Sequence, residues 1–162
     1  MSINFNITCQ VEKRQKLLTN RCYPLYIKYM KINTKIRYGL RMLVILAQNK
    51  SVMNTEILGE KMVVSPKYLR KLAGPIEKSG LILSVQGKYG GYKLNRSPDK
   101  ISVSDIFKAY DESIHISGCT KNTGCILSGE CVTSNLWIHF EDLISKEFFN
   151  TTLHKIIANK FD

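Results

Sequence analysis

The sequence predicts a mainly α fold: a winged helix-turn-helix with a two-stranded β wing, followed by a long C-terminal helix of dimerisation type. Three observations carry that prediction. Residues 35–80 read as helix, short helix, three-residue joint, helix. The period then changes to two short extended runs around a glycine-rich turn. The stretch after Ser134 is more apolar than one narrow helical stripe requires.

Between Lys35 and Gln48, Tyr38, Met42, Ile45 and Leu46 recur at helix-face spacing, with Asn33 or Thr34 as cap. Asn54 can cap a short second helix, in which Glu56 favours the positive end and Ile57, Leu58 and Met62 supply burial. Ser65-Pro66 opens the third helix with a cap and a proline whose missing N–H costs nothing at the first helical position. Tyr68, Leu69, Leu72 and Ile76 form its apolar side, and Gly80 is its left-handed terminator. Gly74-Pro75 lies inside this helix; Pro75 removes a bond to the Lys71 carbonyl, which predicts a kink near residues 71–75. Residues 81–85 form a strand, 86–91 a turn and 92–94 a return strand, a wing carrying Lys88 and Lys93 near its tip. Glycines at 87, 90 and 91 would let such a hairpin approach a phosphate closely, although a hairpin can also simply cover the helices.

Ser102 and Asp105 have the spacing of a capping box, and Val103, Ile106, Phe107 and Tyr110 line the helix that follows. A glycine-rich loop spans roughly 113–131. From Ser134, Leu136, Trp137, Phe140, Leu143, Ile144 and Phe148 make a helix wide enough to bury two sides, against a second subunit or against its own domain. A short closing helix from Thr152, with Leu153, Ile156 and Ile157, is expected to fold back onto the rest.

Composition narrows the class. The chain has 162 residues, 44% hydrophobic, enough for one ordinary domain without staples. Its longest apolar run, Met42 to Ala47, is six residues, against about 20 for a bilayer-spanning helix. Glu12, Lys13, Arg14, Lys16 and Arg21 interrupt any secretory signal, so the protein reads as cytoplasmic and not membrane-bound. The net charge is +11, and it is unevenly placed. Residues 31–100 carry fourteen Lys/Arg against four acids, whereas residues 101–162 carry five against eight. A field of that sign concentrates polyanions, which makes nucleic acid the leading partner; an acidic protein or membrane surface would also be attracted. The acids and histidines form no recognisable general acid/base pair, so the chain is not expected to be an enzyme.

The five cysteines fall in two groups. Cys9 and Cys22 have no special setting, whereas Cys119, Cys125 and Cys131 repeat with five residues between each and glycines at 118, 124 and 129 beside them. That is not the two-to-four spacing of a zinc knuckle, and an odd cysteine count argues against a disulfide scaffold. Three thiolates on a glycine-relieved loop suit an iron–sulfur cluster, with redox thiols and incidental cysteines as the other readings. Residues 1–29 have no clean period; the cluster Tyr23, Leu25, Tyr26, Ile27 and Tyr29, broken by Pro24, is either an extra arm or an extension upstream of Met30.

With these features the chain resembles the Rrf2 family of winged-helix regulators, in particular its IscR branch, with NsrR and the cluster-free CymR as related branches. The resemblance rests on Met30-Lys-Ile-Asn-Thr-Lys-Ile-Arg-Tyr-Gly-Leu-Arg41, on Ser65-Pro-Lys-Tyr-Leu69, and on Gly87-Lys-Tyr-Gly-Gly-Tyr-Lys-Leu94. It also rests on Asp111-Glu-Ser113, the evenly spaced cysteines and Cys131-Val-Thr-Ser-Asn-Leu-Trp137. It covers residues 30 to about 157, and because family members begin near Met30 it favours a start-site extension for 1–29. It implies four regions: the extension at 1–29, a DNA-binding winged helix at 30–98, a linker helix and cluster loop at 99–133, and a dimerisation helix with a closing helix at 134–162.

What the resemblance implies is a homodimeric regulator of a double-stranded DNA operator, most simply a repressor. Ser65, Lys67, Tyr68, Arg70 and Lys71 would meet the major groove, and Lys88 and Tyr89 flanking backbone or minor groove. Cys119, Cys125 and Cys131 would hold an iron–sulfur cluster, 2Fe-2S in preference to 4Fe-4S, that senses cluster supply, oxygen or nitric oxide. The alternative is a regulator of cysteine or sulfur metabolism using thiols or zinc.

The departures from the family are specific. The histidine that completes the IscR cluster is replaced by Ser134, and the acid that does so in NsrR by Arg37. His115, His139, Glu112, the Ser134 hydroxyl and a small thiol remain as candidates for the fourth ligand, while His154 lies near the C-terminus. Arg70 and Gln86 replace the acid and arginine of IscR in the recognition helix and wing. Arg70 can pair with guanine, bind a phosphate or remain solvated.

Overall fold

Short-range capping sets most helix starts in this chain. The computed structural model describes residues 32–49, 51–117 and 131–161. The Asn33 side chain accepts the Lys35 N–H at 3.0 Å and opens α1 (Thr34–Asn49). Asn54 accepts the Glu56 N–H at 2.7 Å and opens α2 (Thr55–Met62). Ser65 accepts the Tyr68 N–H at 3.2 Å and opens α3 (Pro66–Lys78), in which Pro66 is well placed and Pro75 is accommodated without ending the helix. Gly80 follows at φ 71°, the left-handed stop.

The wing follows directly. Strands β1 (Ile82–Val85) and β2 (Gly91–Leu94) pair antiparallel, Ile82 opposite Leu94 and Val85 opposite Gly91. Lys93 therefore stands opposite Leu83, one step from the base of the hairpin and not near its tip, because the turn is longer than the return strand. Met53 and Tyr92 exchange both backbone bonds at 2.9 Å, so the chain ahead of α2 adds an isolated bridge to the wing. Gly91 makes that approach possible: a Cβ there would lie 2.0 Å from the Met53 carbonyl oxygen.

After a short 3-10 turn at Pro98–Lys100, the reciprocal capping box of Ser102 and Asp105 starts α4 (Val103–Ala109). The long helix α5 (Ser134–Asn150) then runs to α6 (Leu153–Ala158). Its C-terminal end is stitched back by Val103 N–H to the Thr151 carbonyl and Leu153 N–H to the Ile101 carbonyl, each 2.9 Å.

One core holds these elements together. Met42, Leu43 and Leu46 of α1, Leu58 and Met62 of α2, Leu69, Leu72 and Ile76 of α3, and Ile82, Ile106 and Leu153 are all at or near zero exposure. Burial of each such side chain favours the fold by about 1.5–3 kcal/mol before cavity effects. Ile57 departs from expectation: it is 51% exposed, since Leu58 and Met62, four apart, already fill the inward face of an eight-residue helix. Helix α5 packs only loosely on its own chain. None of its residues is buried, and Leu136, Phe140 and Leu143 are roughly half exposed.

Candidate nucleic-acid interface and cysteine-bearing segment

The α2–α3 joint is three residues long, Val63 to Ser65, and presents the N-terminal half of α3 outward. Along that half, Ser65, Lys67, Arg70 and Lys71 are exposed, while Leu69, Leu72 and Ala73 face the core. The Ser65 hydroxyl serves the helix as its cap. Tyr68 sits differently from its neighbours: it is half-buried and meets Tyr38 edge-on at 6.0 Å, which fixes α3 on α1. At the wing, Lys88 and Tyr89 are exposed, Tyr89 to 85%, and the Lys88 Nζ lies 5.7 Å from the Tyr89 ring centroid. Such a pair places one cation and one planar ring at the tip of a hairpin beside a basic helix. Arg41 reaches the Met62 carbonyl at 3.5 Å and so occupies the negative end of α2.

Burial and then the nearby Glu77 carboxylate raise the ionisation of Tyr92 at the base of the wing, with Arg70 opposing them. Glu77 itself accepts from Ser84, which joins α3 to β1. Arg70, exposed on α3, thus lies within electrostatic reach of Tyr92.

The cysteine-bearing segment is described only at its end. Cys119 and Cys125 lie outside the described residues, whereas Cys131 is half-buried just ahead of α5. The Thr133 hydroxyl, 3.2 Å from the Cys131 sulfur, and then the backbone amides of Thr133 and Ser134 hold that thiol below the usual range. A soft sulfur donor shifted toward thiolate fits an iron site. Among the described residues no group of three or more His, Cys, Asp or Glu side chains is arranged around a common point.

The candidate fourth ligands are spread out. The Ser134 hydroxyl donates to the Cys131 carbonyl at 2.8 Å. Glu112 accepts from Asn33 at 2.6 Å, and His115 lies between Ser113 and Glu141. His139 is exposed beside Phe140 on α5, and His154 is exposed on α6. Sequence gives no signal for Glu141, because α5 also carries Asp142, Lys146 and Glu147 and nothing in the pattern singles one acid out.

A short helix, a three-residue joint and a basic helix beside a two-stranded wing define a winged helix-turn-helix transcriptional regulator. More particularly, the chain belongs to the Rrf2 family, described as iron-dependent transcriptional regulators, which matches residues 32–159. It is 32% identical to the HTH-type transcriptional regulator IscR of Pectobacterium carotovorum over 81% of each chain. It is also similar to the solved structure of CymR, the global cysteine regulator of B. subtilis, with a TM-score of 0.70, 28% identity, and coverage of 82% of this chain and 99% of that one. The IscR structure of T. potens is similar at a TM-score of 0.63 and 26% identity, over 83% of this chain and 90% of that one. The family is one of regulators, not enzymes. Among the described residues no helix is long and apolar enough to cross a membrane.

Proposed function

We propose that this chain is a homodimeric, sequence-specific DNA-binding repressor whose operator affinity responds to an iron–sulfur cluster held by Cys119, Cys125 and Cys131. The observation that carries the DNA half is the exposed row Lys67, Arg70 and Lys71 on α3, together with the exposed Lys88 and Tyr89 at the wing tip. Residues 30–98 are the reading head, 99–133 the linker and cluster loop, and 134–162 the dimer helix with its closing turn. A two-fold dimer would place half-sites about 34–36 Å apart, one turn of DNA or a multiple of it.

The thiol character of Cys131 and the similarity to iron-dependent regulators support the cluster half. When bound, the cluster supplies a centre sensitive to oxygen, nitric oxide and iron–sulfur supply. The protein's part is to provide thiolates and to convert their geometry into a head arrangement. Such a switch is coupling only if cluster binding favours one arrangement over another.

A second reading is favoured by the same lowered thiol together with the similarity to CymR: a regulator of cysteine or sulfur metabolism that uses thiols or zinc. Iron and acid-labile sulfide, measured on anaerobically purified protein, separate the two. On the cluster reading Cys125→Ala loses the visible absorbance and stays dimeric; unchanged iron content in that variant refutes it. For the DNA half, duplex from the chain's own promoter should shift the amide signals of residues 65–71. Movement of a different surface alone would refute that assignment.

A further inference from the structure

Between α2 and the tip of the wing lies an open groove of about 480 Å³. Backbone bonds fix one wall. Met53 and Tyr92 exchange N–H···O bonds of 2.9 Å, so the hairpin lies against the start of α2. The turn beyond is closed by the Gly90 N–H to the Gly87 carbonyl at 2.9 Å, which holds Lys88 and Tyr89 on the groove. On the facing wall Ile57 and Lys61, four apart, share one side of α2. Leu58 and Met62 fill the inward side of that helix, which leaves Ile57 51% exposed.

The lining has a definite chemistry. Val52, Ile57 and Tyr89 supply aliphatic and aromatic surface, Lys61 and Lys88 supply two cations, and among the described residues no acid lines the groove. The acids of α2, Glu56 and Glu60, line a separate groove with Val63 and Ser65. Uncovered aliphatic side chains between charges of one sign suit a segment that is acidic and carries a bulky apolar residue. Duplex DNA matches only half of this surface. Phosphates reward the lysines, whereas Ile57 and Val52 have little apolar area to bury against on a sugar–phosphate backbone.

We propose that this groove is a docking site for an acidic peptide segment of a partner protein, with an apolar side chain seated against Ile57 and Tyr89 and carboxylates facing Lys61 and Lys88. Nothing in it depends on the cluster reading. Exposed ion pairs are individually weak, so the apolar anchor carries the affinity, while the lysines set the on-rate and the sign of the partner. Lys88 and Tyr89 also belong to the proposed DNA surface, so an occupied groove competes with operator for the wing tip.

The test uses the full chain and a fluorescent synthetic peptide of glutamates around a single leucine–phenylalanine pair, with an all-glutamate peptide beside it. The mixed peptide should bind, shift the amide signals of residues 52–61 and 88–89, and be displaced by operator duplex. Ile57→Ser should weaken it about tenfold through faster dissociation. Lys61→Ala should weaken it severalfold through slower association that loses part of its salt dependence. Lys78→Ala, an exposed cation at the far end of α3, should leave binding alone. Ile57 and Lys61 are both exposed, so the circular dichroism of their variants should match the parent. Equal binding of the all-glutamate peptide, or parent-like affinity in Ile57→Ser, reduces the surface to a charge effect and overturns the inference. Loss of operator binding in Lys61→Ala with peptide binding untouched makes the groove a DNA contact and overturns it likewise. Failure of operator duplex to bind the unsubstituted chain overturns the DNA reading instead, and the peptide titration, run without DNA, still decides the groove.

Discussion

The Tyr110 hydroxyl donates to the Leu72 carbonyl at 2.9 Å, which bonds the end of α4 to the middle of α3. The same ring lies over Gly39 of α1, where a Cβ would stand 2.7 Å from a ring carbon. Three helices thus meet on one side chain. Burial, reinforced by the neighbouring Tyr68, pushes the ionisation of Tyr110 far above the ordinary tyrosine value.

Removing that hydroxyl while keeping the ring should be measurable. Tyr110→Phe should cost about 1 kcal/mol in urea unfolding, and Gly39→Ala roughly 1–3 kcal/mol because the ring must shift. The pH dependence has a definite sign. Unfolded Tyr110 ionises near its ordinary value of 10.0 while the folded one stays protonated. Its contribution is therefore complete below pH 10 and is lost as pH rises above it. Unfolding midpoints between pH 9 and pH 11 should fall less steeply in Tyr110→Phe than in the parent; equal slopes would remove Tyr110 as the cause.

Val63, the first residue of the joint, has φ 56° and is 84% exposed. A β-branched residue is strained in that left-handed conformation, and here it has almost no packing to lose. Val63→Gly should stabilise the protein by about 1 kcal/mol, read as a higher urea midpoint at unchanged slope. A lower midpoint would mean that the exposed valine contributes more than its backbone costs.

These residues also show which parts of the molecule sequence reveals. Asn54, Ser65, Gly80 and the Ser102–Asp105 box are legible because each acts on a backbone group within a few residues. The left-handed Val63 is not, since the usual signal there is a glycine and the joint is set by how α2 and α3 pack. Ile57 was misplaced for a related reason: the two core positions it adjoins already satisfy a short helix. The exposed cations of α3 follow from periodicity, but the half-buried packing of Tyr68 against Tyr38 needs α1 in place first. Glu141 and His115, twenty-six positions apart, meet only after α5 is docked.

Arg70 and Lys88 should separate in their effect on DNA. Arg70 projects from the part of α3 proposed to enter the groove, and Arg70→Ala should change preference at one base position by about 1–3 kcal/mol. Lys88 sits on the wing tip, where Lys88→Ala should weaken all sequences alike and lower the salt slope by about one. Binding titrations over a set of operator variants at several salt concentrations check both. Uniform weakening by Arg70→Ala would make it a phosphate contact.

The outward stripe of α5 should decide whether the molecule pairs. Phe148 lies 5.3 Å from Phe107 and, with Ile144, lines a cavity on the chain's own α4 side. Leu136, Phe140 and Leu143 recur at i, i+4 and i+7 on a neighbouring stripe, between 42% and 48% exposed. A two-fold interface uses the same patch twice, so one substitution counts in both protomers. Losing a leucine from each side removes about 3–6 kcal/mol of apolar burial, or roughly a hundredfold or more in dimer Kd. Leu143→Asp, which also places a charge there, should therefore sediment as a monomer at micromolar concentration and retain its helical circular dichroism. Its affinity for a full palindromic operator should drop toward that for a single half-site. A dimer of undiminished strength in Leu143→Asp would move the interface to another surface and leave this stripe without a role.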